Sequence, residues 1–122
     1  MDEEKKPVIA EVIWIGSSRE VLKTFPKAIQ GEFGIEIWAL QQGERPSDYR
    51  PMPSIGKGVC ELRQRDRSGW YRVIYLSRIE DKLYMLHSFK KQSAKTSKKD
   101  LSIAEARLKA VKRRIQEEKK NG

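Results

Sequence analysis

The apolar positions of this chain follow two rhythms, and the changes between them mark its elements. Residues 8–15 form a β-branched run ending in Trp14-Ile15 before Gly16-Ser17-Ser18, which predicts a strand. Ser17 or Ser18 can cap a short helix over residues 19–24 that turns Val21, Leu22 and Phe25 inward. Pro26 suits the first position of a second helix, where its missing N–H costs nothing. Ile29, Phe33, Ile37 and Leu40 extend that helix to about Gln42 at near-helical spacing. Gly31 and Gly34 each weaken it by up to about 1 kcal/mol against Ala, and Gly43 is a natural stop. Trp14 and Trp38 are expected in the core. Residues 44–58 carry Pro46, Pro51, Pro53, Gly56 and Gly58 and predict a loop.

Three strand-like segments follow at residues 59–65, 70–76 and 82–89, separated by the turn-rich stretches 66–69 and 77–81. Consecutive hairpins are the simplest way to join them. From Ser97 the rhythm changes again. Leu101, Ala104, Leu108, Val111 and Ile115 recur at gaps of three and four, the apolar stripe of an amphipathic helix. Ser97 and Asp100 stand three apart at its start, resembling a capping pattern. Lys109, Lys112, Arg113 and Arg114 lie toward its C-terminal half, where the helix dipole favours cations. The order β, α, α, β, β, β, α predicts a small single-domain α+β fold, an antiparallel sheet with helices packed on one face. The domain is expected to span residues 1–122, with a flexible N-terminus at 1–7 and a frayed C-terminus at 116–122.

Charge narrows the choice of partner. Among 122 residues, 26 Lys+Arg outnumber 17 Asp+Glu, for a net charge of +9. Nucleic acid, an anionic membrane surface and an acidic protein all suit that excess. No run of about 20 apolar residues is present to span a bilayer. Met1-Asp2-Glu3-Glu4-Lys5-Lys6 also lacks the apolar stretch of a signal peptide, so no membrane association is expected. Cys60 is the lone cysteine, which excludes an internal disulfide and argues against a cysteine zinc site. A reducing, cytoplasmic location is expected, with Cys60 a small core residue.

Catalysis by a cysteine or a serine triad finds little support, because His87 is the only histidine. Gly56-Lys57-Gly58 matches neither phosphate-cradling glycine motif. Its glycines either let a loop turn or hold Lys57 near a phosphate. The informative feature is cations on strands. Glu61, Arg63 and Arg65 share one face of the first hairpin strand, since side chains alternate with period two. Arg72 lies within Trp70-Tyr71-Arg72-Val73-Ile74-Tyr75, and the third strand ends in His87-Ser88-Phe89-Lys90-Lys91. Cations that neutralise phosphates beside planes that stack on unpaired bases suit RNA. For each residue a structural role stands beside the functional one. Trp70, Tyr71 and Tyr75 suit hairpin packing. Glu61 is either an ion-pair partner or a general base, and Arg63 either pairs with Glu61 or a neighbouring strand or contacts RNA. His87, expected on the face of Leu83 and Met85, is either a satisfied core histidine or an acid–base group. Lys95, Lys98 and Lys99 are either a solvated lead-in to the last helix or part of the RNA surface.

Glu61-Leu62-Arg63, the Trp70–Tyr75 strand, Leu86-His87-Ser88-Phe89-Lys90-Lys91-Gln92 and the helical Ala104-Glu105-Ala106-Arg107 together resemble the RelE/ParE toxin superfamily. Within it the chain looks most like phage-derived, HigB-like toxins of type II toxin–antitoxin modules. The resemblance covers roughly residues 59–112 and agrees with the preceding β-α-α order. It implies a RelE-like fold and a ribosome-dependent mRNA endonuclease that inhibits translation without a metal or other cofactor. It also implies a cognate antitoxin, ribosome and mRNA as partners, and a toxin–antitoxin hetero-oligomer. By this likeness Arg72 stabilises the scissile phosphate and Lys90 and Lys91 match the basic close of the third strand. Glu61 and His87 are candidate acid–base residues, and Lys57, Arg63, Arg65, Lys91 and Lys95 are candidate RNA contacts. The chain departs from RelE itself in having Val59 and Glu61 in place of a lysine-rich strand, and has no clear counterpart of its C-terminal catalytic tyrosine. A ParE-like gyrase inhibitor and a non-catalytic binding module are the competing expectations.

Overall fold

Hydrophobic periodicity is converted into structure with one addition. In a computed structural model that describes residues 8–91 and 95–121, the order is β1 (Glu11–Trp14), α1 (Ser18–Leu22), α2 (Lys27–Gln41), β2 (Tyr49–Pro51), β3 (Val59–Asp66), β4 (Gly69–Ile79), β5 (Lys82–Lys91) and α3 (Lys98–Asn121). The strands form one sheet in the order β1-β5-β4-β3-β2. Adjacent strands are antiparallel except β1 and β5, which run parallel, so the sheet is mixed. The expected N-terminal segment 1–7 lies outside the described residues. Residues 116–121, expected to fray, continue α3.

β2 corrects the expectation of an unbroken loop over residues 44–58. Three residues are too few for an alternating pattern to show, and Pro51 argues against a strand. At the sheet edge that objection lapses, because a proline there has no ladder bond to lose. Tyr49 pairs with Leu62, Arg50 with Glu61 and Pro51 with Cys60. The two serines at the start of α1 also act differently from expectation. Neither side chain caps the helix; Ser18 is buried and donates its hydroxyl to the Met85 carbonyl at 3.1 Å. Ser97 does cap α3, its Oγ accepting the Asp100 N–H at 3.2 Å.

The sheet is apolar on both sides, which is why residues 83–89 are buried without alternation. α1 and α2 lie on one face, where Phe25, Ile29, Phe33 and Ile37 meet Leu62, Tyr71, Val73, Tyr75, Leu83 and Met85. Cys60 belongs to this cluster, beside Tyr75, whose hydroxyl is pushed well above its ordinary pKa by burial. On the opposite face Ala104, Leu108 and Val111 of α3 meet Val59, Ile74, Leu76, Tyr84 and Leu86. Gly56 permits that closeness, since an added Cβ would stand 2.5 Å from Leu108 Cδ2. The α+β class therefore holds, but the sheet is mixed rather than purely antiparallel, and α3 closes a second core on the face opposite α1 and α2 rather than joining them on one face.

Trp38 is a second correction. Position 38 falls away from the buried 29, 33, 36 and 37 stripe of α2, and the residue is 51% exposed, near the still more exposed Ile35. The helix buries Glu36 instead, whose carboxylate accepts the Ser47 N–H at 3.0 Å and the Ser47 hydroxyl at 2.7 Å. Trp14 packs, partly buried, against the first core. Among the described residues no helix is long and apolar enough to cross a membrane.

Candidate nucleic-acid interface

Strand register decides which charges can meet. Opposite residues share a face, so pairing of Arg63 with Arg72, Arg65 with Trp70, and Arg72 with Phe89 places these side chains together. Ile74, on the same face, meets α3, so this is the α3 side. The helix starts at the level of His87 and runs toward Lys82, as the contacts of Asp100 with His87, Arg107 with the Leu86 carbonyl and Glu118 with Lys82 record. Among the described residues it leaves the hairpin end of β3 and β4 uncovered. There Arg63, Trp70 and Lys91 are half-buried and Arg65 is exposed.

Beneath this open corner lies a buried ion pair. Arg72 Nη1 stands 3.4 Å from Glu61 Oε1, with side-chain exposures of 1% and 0%. Glu61 Oε2 also accepts the Thr96 hydroxyl at 3.0 Å, so the stretch leading into α3 is fastened over the pair. The Arg72 guanidinium lies 5.0 Å from the Trp70 ring centroid, and Arg65 lies 4.8 Å from the same ring. Burial pulls the Arg72 pKa down, and the Glu61 carboxylate partly restores it. Arg63 is neutralised differently, by Asp48 Oδ1 at 3.0 Å.

His87 belongs to a separate knot. Plain alternation would put it with Leu83 and Met85, but a register shift between Ile74 and Tyr75 opposite it interrupts the ladder. Leu86 and His87 thereby both turn toward α3, while Leu83 and Met85 face α2. His87 Nε2 lies 2.9 Å from Asp100 Oδ1 and Nδ1 lies 3.4 Å from Arg107 Nη1. Because Arg107 can only donate, the arrangement suits a neutral ring with its proton on Nε2. Asp100 Oδ2 accepts the Ser97 hydroxyl at 2.7 Å, and Arg107 donates to the Leu86 carbonyl at 2.9 Å and to Ser17 Oγ at 3.2 Å. Gly16 leaves room for that guanidinium: its φ is +56° and a Cβ would stand 2.7 Å from Arg107 Cζ. Both ring nitrogens are thus engaged in docking α3.

Burial lowers the His87 pKa below the ordinary value of 6.5; Asp100 opposes this and Arg107 adds to it. The unfolded chain then takes up the proton more readily than the folded one. Stability is full above about pH 6.5 and is lost as pH falls from there through the depressed folded value. Urea midpoints measured from pH 8 to pH 5 should fall for the wild type and fall less for His87→Asn. Parallel profiles would contradict this role.

The remaining sequence candidates separate. Lys90 pairs with Tyr71, on the face opposite Arg72, with its ammonium 5.6 Å from the Tyr71 ring. Lys91 faces the Arg72 side, opposite Trp70, and donates to the Lys95 carbonyl. Lys57 is exposed at the far end of β3 from Arg65, away from the corner. Lys95 is exposed beside Thr96, at a cavity of about 200 Å³. Four participants escape sequence reading: Asp48 and Arg50 in the presumed loop, Thr96, and Asp100 as the partner of His87. For Arg50 the usable signal is its parity with Met52, an apolar residue two positions on.

The family model described as "Phage derived protein Gp49-like (DUF891)" matches residues 20–109. A search of curated proteins finds no match.

Proposed function

Since the chain belongs to the phage-derived Gp49-like family, we propose that it is the toxin of a type II toxin–antitoxin module, acting as a ribosome-dependent mRNA endonuclease. The observation that supports this most is the uncovered corner of the α3 face, where Arg63, Arg65 and Lys91 surround the Arg72–Glu61 pair. Metal-free cleavage of RNA needs a base for the ribose 2′-hydroxyl, positive charge for the phosphorane and a proton for the leaving oxygen. In this proposal an RNA phosphate enters beside Arg63 and takes over Arg72 from Glu61. The released carboxylate then accepts the 2′-hydroxyl proton. Lys91, rather than Lys90, supplies charge on that face and gives a proton to the leaving 5′-oxygen as the P–O5′ bond breaks, and His87 positions α3. A cognate antitoxin is the expected partner, covering the cationic corner in the inactive complex.

The burial of Arg72 favours one second reading, a basic binding module that holds nucleic acid without cutting it. Inducible expression with mapping of mRNA 5′ ends separates the two. Wild type should arrest growth and create new ends inside translated codons. A Glu61→Leu, Arg72→Met double variant, folded but lacking both charges, should do neither. Arrest without cuts would redirect attention to gyrase, and absence of arrest would favour the binding module.

A further inference from the structure

We propose that the cleft between β2 and the start of α3 is a second phosphate subsite for single-stranded RNA, with Arg50 and Lys95 as its cations. The inference rests on the RNA-cleaving reading and names where the strand continues beyond the scissile phosphate. The cleft has a volume of about 200 Å³ and is lined by Arg50, Met52, Ser54, Lys95, Thr96 and Leu101. Arg50 lies opposite Glu61 and therefore projects on the α3 side of β2. Arg63, two positions further along β3, is its diagonal neighbour, a separation of roughly 7–8 Å for such positions. On the other side of Arg63 opens a second cleft of about 310 Å³, lined by Asp48, Arg63, Gln64, Arg65 and Trp70. A backbone crossing the sheet edge thus meets cations in both clefts, with the Arg72–Glu61 pair beneath.

Charge balance distinguishes the two. Arg63 is already neutralised by Asp48. Arg50 and Lys95 are both exposed, and neither has a carboxylate partner among the described residues. Two cations over a floor made by Met52 and Leu101 attract an anion small enough to enter, and Ser54 adds a neutral hydroxyl. A phosphodiester meets those terms, whereas a stacked base has no free ring to lie on here. Thr96, whose hydroxyl is given to Glu61, links this subsite to the pair that would do the chemistry.

The test is fluorescence anisotropy of the whole chain with a labelled five-nucleotide single-stranded RNA, measured across salt concentrations. Arg50→Gln and Lys95→Gln should each weaken binding several-fold and reduce the slope of log K against log salt by about 0.7, one phosphate contact. Lys112→Gln, on the exposed side of α3, should change neither. If Arg50→Gln and Lys95→Gln behave like Lys112→Gln while Arg63→Gln weakens binding, RNA uses only the larger cleft and the subsite is overturned. Absence of wild-type binding overturns it as well, and so does an effect of the two variants on polyglutamate but not on RNA. Codon-internal cuts mapped in cells report on the nuclease independently, so the subsite can fail while that reading stands.

Discussion

Arg72→Ala should lower the unfolding free energy by about 3–5 kcal/mol, because it leaves the Glu61 carboxylate buried without its counter-charge. Glu61→Ala should cost a similar amount for the converse reason. Replacing both together should cost far less. Glu61→Leu with Arg72→Met exchanges a desolvated pair for apolar groups of similar bulk, a change that is often neutral or stabilising. Urea denaturation of the two single variants and the double variant gives the coupling directly. A double variant as unstable as the singles would show that the pair is not the main source of the loss. The cycle also bears on activity, because loss of toxicity in Arg72→Ala alone confuses misfolding with chemistry. A stable, inactive double variant removes that confusion.

Leu108→Ala should cost about 2–5 kcal/mol, the range for truncating a leucine in a packed core. Leu108 is 4% exposed and central to the stripe that joins α3 to the sheet. Gly56 lies directly against it, and a glycine has no side chain with which to fill the cavity. The loss should therefore sit toward the upper part of the range. Trp38→Ala, at an exposed helix position, should cost no more than about 1 kcal/mol despite removing a larger side chain. Thermal melts of the two variants check the order. A larger drop for Trp38→Ala would mean that its exposed face is covered in solution.

Where periodicity was strong, the sequence was a good guide. The 101, 104, 108, 111, 115 stripe became α3, and the three hairpin strands fell within a few residues of their expected bounds. Local rules failed where tertiary structure set the outcome. β2 is a strand only because β3 offers it a partner, so no pattern within residues 49–51 could announce it. Residue type places Trp38 in the core, yet the phase of the helix turns it outward. The candidate site was legible as a list but not as an arrangement. Period two correctly put Glu61, Arg63 and Arg65 on one side, and a structural ion pair was among the readings of Glu61. One irregularity in the β4–β5 ladder was enough to turn His87 away from Leu83 and Met85. Lys90 and Lys91 are neighbours in sequence and lie on opposite faces, which separates two residues that composition treats alike. The partners Asp48, Thr96 and Asp100 come from other elements, and spacing along the chain carries no trace of them.

The position of Cys60 makes this chain its own reporter of fluctuation. Its thiol belongs to the core on the α2 side of the sheet rather than the one closed by α3, and it is the sole cysteine of the sequence for a thiol-specific reagent. Labelling of the native protein must wait for α2 to lift or for the molecule to unfold. Undocking of α3 alone leaves the thiol shielded and the reagent unspent. The exchange rate of one native atom can thus tell motion of one layer from motion of the other, with no engineered probe.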